Sequence, residues 1–281
     1  MRRHLFALCA ALAVALSGAF VLPVAQPASA QTASAPLRAN LSAVMDNGTV
    51  TYSLTLANDS DTAVSQIYAA VQVPTGLTNF RVSATPTGAA FKGIELGAAA
   101  WIPDQVPAHG SVGPFSYQAS VLGATPAAVN GFVHWLSPSD SSLLTSTVSP
   151  TMSGLPEGTI QITPVVPGMG EHWADPKNLP LGPIYGVYGG KIIFLEYMIS
   201  QNDFRNGVKH TQLTGNKSLP AIDRIDFEFQ PNGHEGYEVP HYDIHEYMIS
   251  HSDHTAITPS SQATERRRWE RGGLTGRRRL P

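Results

Sequence analysis

The chain has 281 residues, 42% hydrophobic and 14% charged, with 25 Gly, 22 Pro and a single Cys. That is long enough for two domains and too heavily punctuated for a coiled coil, a helical bundle or a mainly disordered chain. The formal net charge of -3 is unevenly spread, with Arg2 and Arg3 at the start, 9 basic against 19 acidic residues in 31–259, and 7 Arg against 2 Glu in 260–281. An acidic body lacks the basic face of a nucleic-acid-binding domain, so no nucleic-acid partner is expected.

Arg2 and Arg3 precede an apolar run, Leu5 to Val24, and Ala28-Ser29-Ala30 offers a cleavage site before Gln31. This is the pattern of a secretory signal over residues 1–30, and it predicts a secreted or periplasmic protein. Gly18 and Pro23 interrupt the run and argue against a membrane anchor. Arg2-Arg3 followed by Leu5-Phe6 also has some features of a twin-arginine signal. Cys9 lies inside the run, so cleavage leaves no thiol for a disulfide or a thiolate metal site.

From Leu37 to about Thr147 the pattern is all-β. Thr49-Val-Thr-Tyr-Ser-Leu-Thr-Leu-Ala57 alternates polar and apolar residues after the turn Asp46-Asn47-Gly48, which predicts a strand with one buried face. Further strands are expected at Ser65–Val73, Arg81–Ala84 and Gly113–Val121, each bounded by Gly, Pro, Asn or Asp, and short strands at this spacing suggest a β-sandwich over 31–150. Tyr52-Ser-Leu-Thr-Leu-Ala-Asn58, Val71-Gln-Val-Pro-Thr-Gly-Leu77, Trp101 and Ala108-His-Gly-Ser-Val112 resemble the immunoglobulin-like repeats of bacterial surface proteins. That resemblance implies a spacer or adhesion module without catalytic residues. His109 and His134 are read as ordinary loop and strand residues.

A Pro/Ser/Thr-rich stretch, Ser137 to Pro156, is expected to connect this module to a second one. Seven of the ten His fall between His172 and His254, in a region 156–254 that also reads as β. Strands are expected at Thr159–Thr163, in a hairpin Ile184–Tyr188 and Lys191–Ile199 turned by Gly189-Gly190, at Ile222–Phe229 and at Val239–Ile249, forming a β-barrel or β-sandwich. Glu196-Tyr-Met-Ile-Ser200 recurs as Glu246-Tyr-Met-Ile-Ser250, with Gly186 matching Gly236. The echo predicts two related strands in equivalent places, with Asp243 and His245 standing where the first strand has Ile193 and Leu195.

The densest chemical signal is Gly233-His-Glu-Gly-Tyr-Glu-Val-Pro-His-Tyr-Asp-Ile-His-Glu-Tyr247, with Gly168-Met-Gly-Glu-His172-Trp upstream. Imidazole and carboxylate donors without a thiol suit a divalent transition metal such as Zn, Fe or Mn. On a strand, His241, Asp243 and His245 share a face, but residues two apart lie about 7 Å apart and residues four apart about 13 Å. One ion can therefore take a neighbouring pair and not easily both His. His172 and His234, each after a Gly-containing turn, are the expected further donors, with Glu196 a candidate. Strict alternation in the echo's register turns Glu196 and Glu246 away from the His241/His245 face. His234-Glu235 has the start of a zinc-protease helix motif, but Glu238 stands where its second His belongs and Gly236 and Pro240 break the helix.

Pro167-Gly-Met-Gly-Glu-His-Trp173, Gly182-Pro-Ile-Tyr-Gly-Val-Tyr188, Phe194-Leu-Glu-Tyr-Met198 and the motif ending at His245 resemble a family of secreted bacterial β-domains of undefined activity. The resemblance implies an oligomer-forming, metal-associated β-domain and carries over His172, His234, His241 and His245 as site residues; Asp243 and Glu196 complete the candidate set. His210, His251 and His254 match nothing in it and are read as loop or tail residues. The stretch 255–281 is expected to be a basic disordered tail, its sharper reading being weak contact with anionic lipid or wall polymer. Three functions stay open: metal binding with a structural or stress-related role, a cupin-like metalloenzyme (oxidoreductase or hydrolase), and a metal-free homo-oligomer with imidazoles at a polar interface.

Overall fold

The computed structural model describes residues 36–136, 141–211, 213 and 219–259. The expected signal segment 1–30 and the Arg-rich stretch 260–281 lie outside the described residues. The first half forms β1 (Leu37–Asp46), β2 (Thr49–Asn58), β3 (Val64–Ser65), β4 (Ile67–Gln72), β5 (Leu77–Ala84), β6 (Ala89–Glu95), β7 (Ala98–Pro103), β8 (Gln105–Val106), β9 (Ser111–Val121), β10 (Val129–Leu136), β11 (Ser141–Val148) and β12 (Thr151–Met152). Two five-stranded sheets result, in the orders β12-β1-β2-β9-β5 and β11-β10-β4-β7-β6. Alternation accounts for them: Val50, Tyr52, Leu54 and Leu56 of β2 and Val129, Val133 and Trp135 of β10 are all buried in one apolar core with Trp101, Phe115 and Tyr117. The first hairpin closes on Asn47-Gly48 with Asp46 opposite Thr49, a two-residue turn that suits this dipeptide.

The expected connector is strand for much of its length. Ser141–Val148 pairs along β10, and Thr151–Met152 pairs in parallel with β1. Its Ser and Thr residues suit a strand at a sheet edge, where one side faces water and needs no apolar side chains.

The second half forms β13 (Ile160–Gln161), β14 (Glu171–Ala174), β15 (Ile184–Tyr188), β16 (Lys191–Ser200), β17 (Arg224–Gln230) and β18 (His241–Tyr247), with one-turn helices α1 (Gln201–Arg205) and α2 (His251–Thr255). These strands make one antiparallel sheet in the order β13-β14-β15-β16-β18-β17. It is open, so the barrel alternative for this region gives way to an open-edged sheet, and the barrel that a cupin-like reading requires is not formed. The all-β class is as expected.

The two faces of this sheet differ. Trp173, Tyr185, Val187, Leu195 and Tyr197 belong to the same apolar cluster as the sandwich core, so this face packs on the sandwich. Main-chain hydrogen bonds join the two regions, from Gly48 N–H to Gly190 O at 2.8 Å and from Gly189 N–H to Gly123 O at 2.6 Å. Glu171, on the packing face, accepts from Thr125 N–H, Thr125 Oγ1–H and Trp173 Nε1–H, and burial raises its carboxyl above the ordinary value despite these donors. Beyond the covered area Ile225, Phe227 and Phe229 of edge strand β17 stay exposed, with the Tyr242 ring tilted against those of Phe227 and Phe229. The opposite face carries His172, Glu196, His241, Asp243 and His245, all buried.

The echoed strands are immediate antiparallel neighbours, and each ends in a serine cap: Ser200 Oγ accepts from Asp203 N–H at the start of α1, and Ser250 Oγ from Asp253 N–H at the start of α2. Equivalent residues face opposite ways, because the ladder pairs Glu196 with His245 and Leu195 with Glu246. Residues 255–259, at the start of the expected tail, finish α2 and seat Ile257 against Ile193, Phe194 and Tyr247.

Candidate metal centre

Strand β18 sets the site by its own period. His241, Asp243 and His245 are each about 1% exposed or less on one face, while Tyr242, Ile244 and Glu246 point the other way. Glu196 is the ladder partner of His245, so it joins the imidazoles instead of turning away as the echo's register implied. The pairing partner, not the repeat, decides the face. His172 comes from β14, and Phe194 lies edge-on to both His172 and His245, with ring centres 5.5 and 5.2 Å away.

Both upstream histidines depend on a glycine. Gly170 and Gly233 sit at φ 72 and 67, and a Cβ on either would come within 2.5 Å of a main-chain oxygen, that of Val187 or Tyr237. Only glycine allows that approach, and it lets the chain turn back and deliver His172 and His234 to the sheet face. His234 then forms an isolated bridge with Tyr237, whose ring packs 4.6 Å from that of His241.

Within the cluster, His234, His241 and Asp243 offer ligand atoms that all lie within 4.8 Å of one another, and this group can hold a metal ion. The tautomers follow from the hydrogen bonds. His241 Nδ1 is 2.6 Å from Val239 O and His234 Nδ1 is 3.1 Å from Glu235 O; a carbonyl only accepts, so each Nδ1 carries a proton, and in the neutral ring Nε2 then offers a lone pair. Those two Nε2 atoms are 3.1 Å apart, and His241 Nε2 is 3.0 Å from Asp243 Oδ1. Two donors sharing a tetrahedral zinc at about 2.05 Å stand about 3.3 Å apart. These two spacings fit, and the third, His234 Nε2 to Asp243 Oδ2, is wider at 3.9 Å; a cation between neutral imidazoles and the carboxylate would draw the three together. His234 is the accessible member, with its side chain 44% exposed against 0% for His241 and 2% for Asp243.

The other candidates form a neighbouring group. His245 Nε2 lies 3.3 Å from Glu196 Oε1, close but not aligned for a hydrogen bond, and His172 Nε2 lies 3.8 Å from Glu196 Oε2. Thr163 Oγ1 is 2.9 Å from His172 Nδ1, and Glu228 Oε2 is 3.6 Å from His245 Nδ1. Neither Thr163 nor Glu228 stands out in the sequence. Alternation along β17 places Glu228 on the site face; nothing local marks Thr163. His254 contacts Arg224 and Tyr247 on the same face, so it is an anchored residue and not a free tail histidine.

Burial pushes the His172 imidazole below its ordinary value, opposed by Glu196. Burial also works against charge on Glu196 and His245, yet each holds the other in its charged form, so the Glu196 carboxyl lies below and the His245 imidazole above the usual value. Asp243 is raised, first by burial and then by the charge of Glu196.

No protein-family model and no curated protein matches the chain. Among solved structures, hypothetical protein TTHB210 from Thermus thermophilus is similar over 37% of this chain and 97% of its own, at 22% identity and a TM-score of 0.31. The GAE domain of yeast GGA1 is similar over 44% of this chain and 96% of its own, at 12% identity and a TM-score of 0.31. The Mu homology domain of Danio rerio Fcho1, solved with an Eps15 peptide, is similar over 42% of this chain and 46% of its own, at 16% identity and a TM-score of 0.26.

Proposed function

We propose that the chain is an exported protein that binds a divalent transition metal through His234 Nε2, His241 Nε2 and Asp243. The observation that carries this reading is the pair of Nε2 atoms 3.1 Å apart beside a buried carboxylate, each imidazole held through its other nitrogen by a main-chain carbonyl. Nitrogen and oxygen donors favour zinc, iron or manganese over the softer-ligand metals. Three donors, one of them on an exposed loop, leave a coordination position open to solvent, so the ion is exchangeable and within reach of small molecules. Export is supported by the Arg2-Arg3, apolar and Ala-Ser-Ala pattern at the start of the chain.

The test is thermal unfolding of the full chain, stripped with chelator and then supplied with ZnCl2. A ligand at one hundred times its dissociation constant stabilises the fold by about 2.7 kcal/mol. That gain is expected to vanish in His234→Ala/His241→Ala and to persist in His109→Asn, a sandwich histidine. Equal melting with and without zinc in the unaltered chain sinks the proposal.

A second reading concerns assembly and rests on β17. Its exposed Ile225, Phe227 and Phe229 lie on a sheet edge whose main chain is unpaired among the described residues. A second copy is the fitting occupant, because an antiparallel edge can pair with itself about a two-fold axis and bring the same three side chains together from both sides. Light scattering after size-exclusion chromatography is expected to give a homo-oligomer that Phe227→Lys dissociates. A monomer at micromolar concentration refutes it.

A further inference from the structure

We propose that His254 is an acid-operated catch: it holds the strap 251–259 over the apolar end of the site face, and its protonation lets the strap lift.

The strap has little hold of its own. Helix α2 spans five residues, too few to persist without tertiary support. Ile257 and His254 fasten it to the sheet. Ile257 is buried in one cluster with Ile193, Phe194 and Tyr247, and its carbonyl accepts from Gly168 N–H at 2.8 Å. The His254 ring is gripped at both nitrogens, with Arg224 Nη2 3.0 Å from Nδ1 and Tyr247 Oη 3.1 Å from Nε2. Glycine at 168 leaves room for it, since a Cβ there would stand 3.3 Å from Nε2.

These bonds admit only the neutral imidazole. A guanidinium donates and never accepts, so Nδ1 takes the Arg224 hydrogen with its lone pair, and the ring proton sits on Nε2 and is donated to Tyr247 Oη. A second proton, on Nδ1, would meet the Arg224 N–H head-on, breaking that bond and setting two cations 3.0 Å apart. Arg224 is not free to swing aside. Its Nη1 donates to Ile249 O at 3.0 Å, its Nε to Asp226 Oδ2 at 3.2 Å, and its Cζ lies 4.0 Å from the centre of the Tyr247 ring.

The charges around the ring act in the same sense. Burial lowers the His254 imidazole below its ordinary value, and Arg224, His251 and His245 push it the same way. Asp226 opposes them but is already paired with Arg224. The turn 166–170 packed against the ring brings no charged side chain. The neutral ring therefore supports the closed strap fully above about pH 6.5, the value of a released imidazole, and the support is lost as pH falls through the lower folded value. His254 is only partly buried, so protons reach it while the core stays closed. Lifting the strap uncovers Phe194 and Tyr247, whose rings pack edge-on and stacked against His245, and so admits water to the His172, Glu196 and His245 group in acid.

The experiment is hydrogen exchange read by mass spectrometry on the full chain in chelator, at about pH 7.5 and about pH 5, with exchange times scaled for the intrinsic pH dependence of amide exchange. Protection of 251–259 relative to β2 is expected to fall at least about threefold in acid. His254→Gln offers Arg224 an acceptor and Tyr247 a donor without a titrating proton, and is expected to keep the strap protected at both pH values. Unchanged protection in the unaltered chain, or the same acid loss in His254→Gln, overturns the catch. If His254→Gln leaves the strap unprotected at both pH values, nuclear magnetic resonance titration of the His254 ring decides. A midpoint below 6.5 that tracks the loss of protection then supports the catch, and one at 6.5 or above overturns it.

Discussion

The sandwich and the six-stranded sheet are built from the same kind of strand but bury different chemistry. In the sandwich the buried polar residues are Asn58 and Ser116, and both are satisfied: Asn58 caps a turn with bonds to Thr62, Pro107 and Ser60, and Ser116 bonds Ser53. Its orphan atoms, Tyr52 Oη and His134 Nε2, stand singly. On the sheet, Glu196, Asp243 and His245 are buried side by side with partnerless atoms, next to His172 and His241. Burying charge costs several kcal/mol per group unless it is paired, and here the pairing is partial, with Glu196 and His245 3.3 Å apart without an aligned hydrogen bond, beside the candidate metal centre.

That contrast can be tested by deletion. Trp101, fully buried and packed against Phe91 and Phe115, is pure core. Trp101→Ala is expected to cost about 3–5 kcal/mol in denaturant unfolding, by the same amount with zinc and with chelator. A zinc-dependent cost would blur the division between the two regions.

A smaller effect comes from pH. In the chelated protein the His245 imidazole is raised by Glu196, Asp243 and Glu228 against the effect of burial. Its protonation therefore stabilises the fold, fully so below about pH 6.5, and the contribution fades as pH rises through the folded value. The lowered His172 and His254 imidazoles work the other way, each favouring the fold as pH rises. Substitution isolates His245: the stability of the unaltered chelated chain over His245→Gln is expected to be larger at about pH 6 than at about pH 8. An equal difference at the two pH values would show that the carboxylates do not hold charge on His245.

Much of this is legible in the residues. The alternation of β2 and the Asn47-Gly48 turn can be read directly, and so can the shared face of His241, Asp243 and His245, because a strand of period two leaves no other arrangement. β14 is not legible: Glu171-His-Trp-Ala174 is buried on both faces, so no period shows, and only its motif points to His172. The Ser/Thr-rich β11 resembles a linker for the opposite reason, having one solvated side and little apolar signal. The repeat misplaces Glu196 because it reports local sequence, while the facing of a strand is set by the neighbour it pairs with. Thr163 leaves no trace in the sequence for the same non-local reason, and Glu228 is reached only through the alternation of β17 once its partner strand is known.

The seam at Gly48 and Gly190 has a wider consequence. Two glycine turns meet there backbone to backbone, with no side chain between them. The pose of the six-stranded sheet is thereby anchored in part by main-chain atoms, and the outer skin of the plinth beneath it is left free to diverge under selection.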